Sequence, residues 1–281
     1  MIGSDSPVRV FDSEMSVKVV KSMQIRAARK LQLLCQGKLK SYKTVVPLVE
    51  DQYGLEIGGP SDVFQGWRTP SPNYKWFGPM PIYDLIRKLD NCNFAGTTIW
   101  ATHAEEYRFS RKKNPGKVII AEGSALAGVK DGAYDFVLSS HNLEHFANPV
   151  KALYEWKRIT RPGGALIVVL PDFRKTFDHR RKPTPVAHLF EDYRNDVGED
   201  DPTHFSEVLE LHDLERDGTL KFHSIEELRE RSYQNISNRA LHHHVFDEHN
   251  STELLRKTGL EILAVELALP YHIFIVGRWK G

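Results

Sequence analysis

The chain has 281 residues, 41% apolar and 27% charged, with a formal net charge of +1 and a mean hydropathy of −0.42. That length suits one large α/β domain, or one with a sizeable insertion, and no second independent domain is expected. The near-neutral charge argues against a dedicated nucleic-acid binder, and no apolar run approaches a membrane span or a signal-peptide core. Two cysteines, Cys35 and Cys92, are too few for a disulfide framework or a metal site of their own, so a reducing cytoplasm is the expected compartment.

Residues 1–15 carry no pattern. Between residues 16 and 49 stand eight basic residues, Lys18, Lys21, Arg26, Arg29, Lys30, Lys38, Lys40 and Lys43, and no acidic one. Apolar residues there, among them Val20, Met23, Ala28 and Leu31, give a partly helical period over 19–39. This N-terminal arm, taken as 1–50, reads either as a helix solvating the outer face of the domain or as a basic amphipathic segment on an anionic membrane surface or substrate. On the second reading the protein sits at the inner face of the membrane.

Residues 41–51 lead into a first strand at 53–57. Residues 60–81 hold Pro60, Pro70, Pro72, Pro79 and Pro81 with Trp67, Tyr74, Trp76 and Phe77, which predicts an ordered loop. A short piece at 82–87, strands near 88–94, 117–121 and 134–139, and a helix at 148–159 with Pro149 in its first turn follow. Arg161-Pro162-Gly163-Gly164 is expected to stop that helix before a buried parallel strand at 165–170. From 172 to 250 the chain is polar and holds nine of its thirteen histidines, after which a helix at 251–258 and strands at 260–267 and 272–276 are expected, the two strands paired as a hairpin around Pro270.

Two stretches suggest chemistry. Gly54-Leu55-Glu56-Ile57-Gly58-Gly59-Pro60-Ser61 joins a strand, an acidic residue and a glycine turn, the way an open α/β sheet builds a nucleotide pocket. Tyr134-Asp135-Phe136-Val137-Leu138-Ser139-Ser140-His141-Asn142-Leu143-Glu144-His145, with Arg161-Pro162-Gly163-Gly164 after it, follows in order. Together these resemble the class I S-adenosylmethionine-dependent methyltransferases, over roughly 53–171 and 251–277.

The resemblance implies a Rossmann-like α/β sheet with an antiparallel last strand and a methyltransferase domain over 51–281, interrupted by a substrate-binding insertion at 172–250. It implies S-adenosyl-L-methionine as cofactor, with Glu56 near its amino group and Gly58, Gly59, Pro60 and Ser61 against it. Ser124, Ala125 and Leu126 would lie along the adenine, and Ser140 and His141 beside the methionine portion. Pro60 and Asp62 depart from the family's further glycines, and Asn93 stands where an acidic residue usually holds the ribose. A nicotinamide dinucleotide would want Gly-x-Gly-x-x-Gly running into a helix, which is not present after Ile57.

A hydroxyl acceptor needs a general base or a metal ion. His141 and His145, four apart, are the base candidates after the fourth strand, with His179 and His243 of the insertion beside them. Asp178-His179-Arg180-Arg181, Asp200-Asp201-Pro202-Thr203-His204 with Glu207, and His242-His243-His244-Val245-Phe246-Asp247 form three polar clusters. Arg180, Arg181, Asp201, His204, His242 and His244 are the expected acceptor-binding set, and the ligand types make a divalent Mg, Mn, Fe or Zn ion a candidate, with no diagnostic spacing. The same motifs resemble a bacterial subgroup associated with polysaccharide glycosyltransferases, which implies O-methylation of a sugar, a glycan or a related polyhydroxyl molecule. Two alternatives stand beside it: a catalytically silent binding module in a glycan-assembly complex, and a metal-dependent small-molecule O-methyltransferase.

Overall fold

The computed structural model describes residues 38–66, 78–99, 105–217 and 224–280. The expected helix over 19–39, most of the basic arm, Cys35 and the aromatic residues Trp67, Tyr74 and Trp76 fall almost wholly outside them.

Eight strands form one sheet. They are Tyr53–Ile57 (β1), Lys88–Asn93 (β2), Glu106–Tyr107 (β3), Gly116–Ile120 (β4), Tyr134–Ser140 (β5), Thr160–Pro171 (β6), Leu260–Ala268 (β7) and His272–Trp279 (β8). Their order is β3-β4-β2-β1-β5-β6-β8-β7. Strands β4, β2, β1, β5 and β6 are parallel, and β8 runs antiparallel between β6 and β7. This is the Rossmann-like sheet with a reversed last strand that the sequence predicts. Strand β3 is an addition: its two residues carry no periodicity, and only pairing with the edge of β4 makes them a strand.

Among the described residues, the stretch 38–50 ahead of the first strand folds against the sheet. Tyr42–Val49 (α1) is a helix that buries Val45, Leu48 and Val49 and packs on β5 and β6. Just before it, the backbone amides of Lys40 and Ser41 and the Ser41 hydroxyl all donate to the Glu266 carboxylate on β7.

On the other face lies Pro149–Ile159 (α2). Asn148 caps it by accepting from the Lys151 amide at 3.0 Å, and Pro149 opens it where no amide donor is needed. Its Val150, Leu153, Trp156 and Ile159 are fully buried against Leu55 and Ile57 of β1, Val137 of β5 and Leu166, Val168 and Leu170 of β6. The Trp156 indole donates to Gly123 O at 2.9 Å. Ile167 and Val169 are equally buried on the opposite face, so β6 reads as a continuous apolar run.

No loop separates α2 from β6, which starts at Thr160, so the Pro-Gly-Gly stretch bends a strand instead of stopping a helix. Gly163 has φ +71°, and a Cβ on Gly164 would lie 2.6 Å from Asp135 O. Both glycines are therefore required by the turn itself.

The insertion is a folded helical unit. Val186–Arg194 (α3), Phe205–Leu211 (α4), Ile225–Tyr233 (α5) and Asn235–Asn238 (α6) precede Glu248–Lys257 (α7). Val186 and Leu189 of α3 join the main core against α2, while Phe205, Val208 and Leu241 make a small core of their own. Helix α7 starts three residues before the expected 251 because Asp247 and Asn250 form a reciprocal capping box at its N-terminus.

Candidate functional site

Strand β1 is the point where the strand order reverses, and ligands of open α/β sheets bind beyond the carboxyl ends of the strands there. The glycine turn occupies that position. Gly58 and Gly59 have φ +77° and +82°, a region that only glycine enters without strain. Three amide side chains brace the turn. Asn91 Nδ2 donates to Glu56 O and Gly58 O, Asn93 Nδ2 donates to Asn91 Oδ1, and Asn142 Nδ2 donates to Ile57 O at 2.8 Å and Ser140 O at 2.9 Å. A Cβ on Gly58 would meet the Asn142 amide at 2.4 Å. Asn93, expected at the ribose, thus has its amide nitrogen committed to this brace.

Glu56 departs further from expectation. It is fully buried and accepts hydrogen bonds from Ser61 Oγ at 2.9 Å, Tyr83 Oη at 2.8 Å and Tyr107 Oη at 2.5 Å, while Tyr83 Oη also accepts from the Ser61 amide at 2.6 Å. Burial pushes its carboxyl up to about 7 against the opposing effect of those hydroxyls. In this structure Glu56 anchors the far side of the turn and offers no face to a ligand. Pro60 is exposed, and Gly58, Gly59 and Ser61 are half-buried, so the backbone of the turn stays open to close approach. These residues fit a cofactor held by the turn, with Glu56 as its support.

Of the three residues expected along the adenine, Ser124 and Ala125 are accessible, whereas Leu126 is a core residue whose amide donates to Glu155 Oε1 at 2.6 Å. Leu126 packs beneath that loop and is withdrawn from the expected contact. Ser140 is buried at the end of β5.

His141 follows with φ +53° and a quarter of its side chain exposed. Its Nε2 lies 2.8 Å from Nδ1 of His272, the first residue of β8, and its Nδ1 lies 3.6 Å from Glu144 Oε1. Burial raises the Glu144 carboxyl, but the neighbouring His141 works against it and holds Glu144 below the usual carboxylate range. His145 Nδ1–H donates to Leu241 O at 3.1 Å, and the His145 ring packs edge-on against His242. Burial, then the neighbouring His242, drives it down to about 3, so His145 is a neutral imidazole at physiological pH.

His242 Nδ1 is 2.6 Å from Asp178 Oδ2. Burial raises the Asp178 carboxyl, yet His242 and Arg181 together hold it at about 2. Arg181 was expected to present its fork to an acceptor. It is instead 2% exposed, with Asp178, Glu207 and the carbonyls of His242 and His243 as partners. Arg180 is half-exposed and shares Asp213 with His179, whose Nε2 lies 2.8 Å from that carboxylate. His243, a base candidate by sequence, is fully buried between Asn235 and Glu199 and is out of reach of an acceptor. Asp201 accepts from its own neighbour Thr203 at the loop surface. His204 and His244 converge with His188 and Asp192 elsewhere in the insertion.

The structure therefore brings together His141, His145 and His242 from the expected set, and adds Glu144 and His272. Glu144 was visible in principle, three residues after His141 on the same short turn. His272 carried no local signal: it arrives only because β8 pairs with β6 in a register that sets His272 opposite Pro171. A surface groove lined by Asp131, Tyr154, Lys157, Arg161 and Trp279 lies at the opposite end of the strands, away from these residues.

Residues 84–168 match the model of a family described as a methyltransferase domain, from just before β2 into β6, with the glycine turn outside the match. A curated protein of Aspergillus luteorubrus, "Probable methyltransferase ltbC", is 38% identical over 60 residues, which span 20% of this chain and 21% of that protein. Among solved structures, a SAM-dependent methyltransferase from Methanosarcina mazei aligns over 86% of this chain and 99% of its own, at 14% identity and TM-score 0.46. The 1,6-didemethyltoxoflavin-N1-methyltransferase of Burkholderia thailandensis, solved with 1,6-didemethyltoxoflavin and S-adenosylhomocysteine, aligns over 99% and 94% at 11% identity and TM-score 0.43.

Proposed function

We propose that the protein is an S-adenosylmethionine-dependent methyltransferase whose acceptor is a hydroxyl of a sugar, glycan or related polyhydroxyl molecule. The methyltransferase-domain match over 84–168 supports the activity. The observation that carries the chemistry is that a braced turn with two left-handed glycines at the end of β1 and the histidine-bearing loop at the end of β5 stand side by side, linked through Asn142.

When bound, the donor supplies a methyl group on a sulfonium, which leaves as a neutral thioether. The chain's own task is to align the acceptor and to hold its proton. His141 is the base: its Nε2 would exchange its contact with His272 Nδ1 for the acceptor hydroxyl and take up that proton, while Glu144 supplies negative charge 3.6 Å from Nδ1. Half-exposed Arg180, with His179 and Asp213, and His242 with Asp178, offer paired polar groups suited to a polyhydroxyl acceptor. Isothermal titration with S-adenosylhomocysteine tests the cofactor, and absence of binding at millimolar concentration would overturn the reading. Transfer of a radiolabelled methyl from S-adenosylmethionine to a panel of sugars, with the product linkage defined as an ether, tests the acceptor. Binding of the donor product without transfer to any oxygen acceptor would instead favour a silent binding module, a reading to which the full engagement of Glu56 lends weight.

A further inference from the structure

The insertion contains a group of side chains that the methyl-transfer reading does not use. His188 and Asp192 stand one turn apart on α3, His204 immediately precedes α4, and His244 lies in the segment leading to α7. One ligand atom from each lies within 4.8 Å of every other. His188 Nε2 is 3.2 Å from His204 Nε2 and 3.6 Å from Asp192 Oδ2, and His244 Nε2 is 3.7 Å from that same oxygen.

Two of these separations are too long for hydrogen bonds, and Asp192 Oδ2 is buried with no hydrogen-bond partner. The unpartnered Asp192 oxygen and the imidazoles gathered around it are aimed at a common point. An ion with tetrahedral bonds of about 2.0–2.2 Å holds its ligand atoms roughly 3.3–3.6 Å apart, close to the spacing seen.

We propose that His188, Asp192, His204 and His244 form a site for a divalent transition metal of the zinc class. Three imidazoles and one carboxylate are the donor set that zinc and its neighbours prefer over magnesium or calcium. Four protein ligands, with His244 fully buried and Asp192 nearly so, close the coordination sphere, as structural sites do. The ion displaces the 3.1 Å contact between His244 Nε2 and Ala147 O and cross-links α3, the start of α4 and the 242–244 stretch. A second convergence, Glu144 with His145 and His242, is a weaker candidate because Glu144 already faces His141 and His242 Nδ1 is held by Asp178. The site stands on its own geometry, whether or not the chain transfers methyl groups.

The test uses the full chain, stripped with chelator and then titrated with CoCl2 and ZnCl2. Cobalt is read by its visible absorption, zinc by equilibrium dialysis with elemental analysis, and each by the shift in melting temperature. The expected result is one bound equivalent with the absorption of four-coordinate cobalt, displaced by zinc, and a melting temperature that rises with either metal. His204→Ala and Asp192→Asn should each weaken binding beyond the 10–100-fold that outer-shell changes typically cost. His188→Ala removes the most exposed ligand, 35% accessible, and keeps the test open should a buried variant not fold. His145→Ala should bind as the parent does. Failure of the parent to take up stoichiometric metal overturns the proposal, as does binding that survives both His204→Ala and His188→Ala or that is lost in His145→Ala.

Discussion

Replacing Glu56 with glutamine isolates the cost of burying a charge under the glycine turn. In the unfolded chain this carboxyl titrates near 4.5, and in the fold burial moves it to about 7. Between those values the native state keeps a proton that the unfolded chain has lost. Stability therefore falls as pH rises through the window: the contribution is fully present below about 4.5 and gone above about 7, a change of about 3 kcal/mol. Glutamine copies the protonated form, since its oxygen still accepts from Tyr83 or Tyr107 while it carries no charge. Urea unfolding followed by circular dichroism at pH 5 and pH 8 gives the four free energies required. Buried neutral histidines such as His145 also titrate across this range with the opposite sign, so the decisive quantity is the difference between the parent and Glu56→Gln at each pH. The parent should lose about 2.5 kcal/mol relative to the variant on going from pH 5 to pH 8, since part of the change already lies below pH 5. Parallel curves would refute the assignment of Glu56 as a buried support for the turn and reopen it as a solvated residue.

Other substitutions probe separate parts of the structure. His141→Ala should lower methyl transfer by about 100- to 10,000-fold while leaving S-adenosylhomocysteine binding intact, as measured by radiolabel transfer and calorimetry. Gly58→Ala puts a side chain at φ +77° and into the Asn142 amide, so it should cost at least about 1–2 kcal/mol and depress donor binding measured by calorimetry. Arg181→Ala leaves Asp178 buried beside His242 without its cation and should destabilise by about 3–5 kcal/mol in denaturant titration. Arg180→Ala, whose ion pair with Asp213 is half-exposed, should change stability by no more than about 1 kcal/mol in the same assay.

Most of the central sheet is legible in the sequence because several of its strands carry their own punctuation. Gly58-Gly59 ends β1, Gly116 opens β4, and Pro270 separates β7 from β8. Local chemistry also marks α2, where Asn148 and Pro149 announce the N-terminus. The insertion is less legible for a physical reason. Its helices are short and polar, and Val186 and Leu189 reveal themselves as core only when α2 is set against them. The same limit applies to the site. The type of Glu56 is evident, but its burial depends on Tyr83 and Tyr107, which lie 27 and 51 residues away. Arg181 reads as a free fork and becomes a buried tie because Glu207 and the 242–243 carbonyls close around it. His272 joins His141 through strand register alone.

The reversed strand β8 has a consequence for how the chain is made. Strand β6 is complete at Pro171, yet the partner for its outer edge begins at His272, about a hundred residues later. At ribosomal rates of about 5–20 residues per second, that edge waits on the order of 5–20 seconds for its own strand. During that interval a long apolar strand presents unpaired amides and carbonyls, a template for pairing with any other extended chain. A nascent polypeptide halted between α7 and β8 is thus the form most exposed to association with its neighbours on a polysome. One carried through Trp279 seals the edge from within.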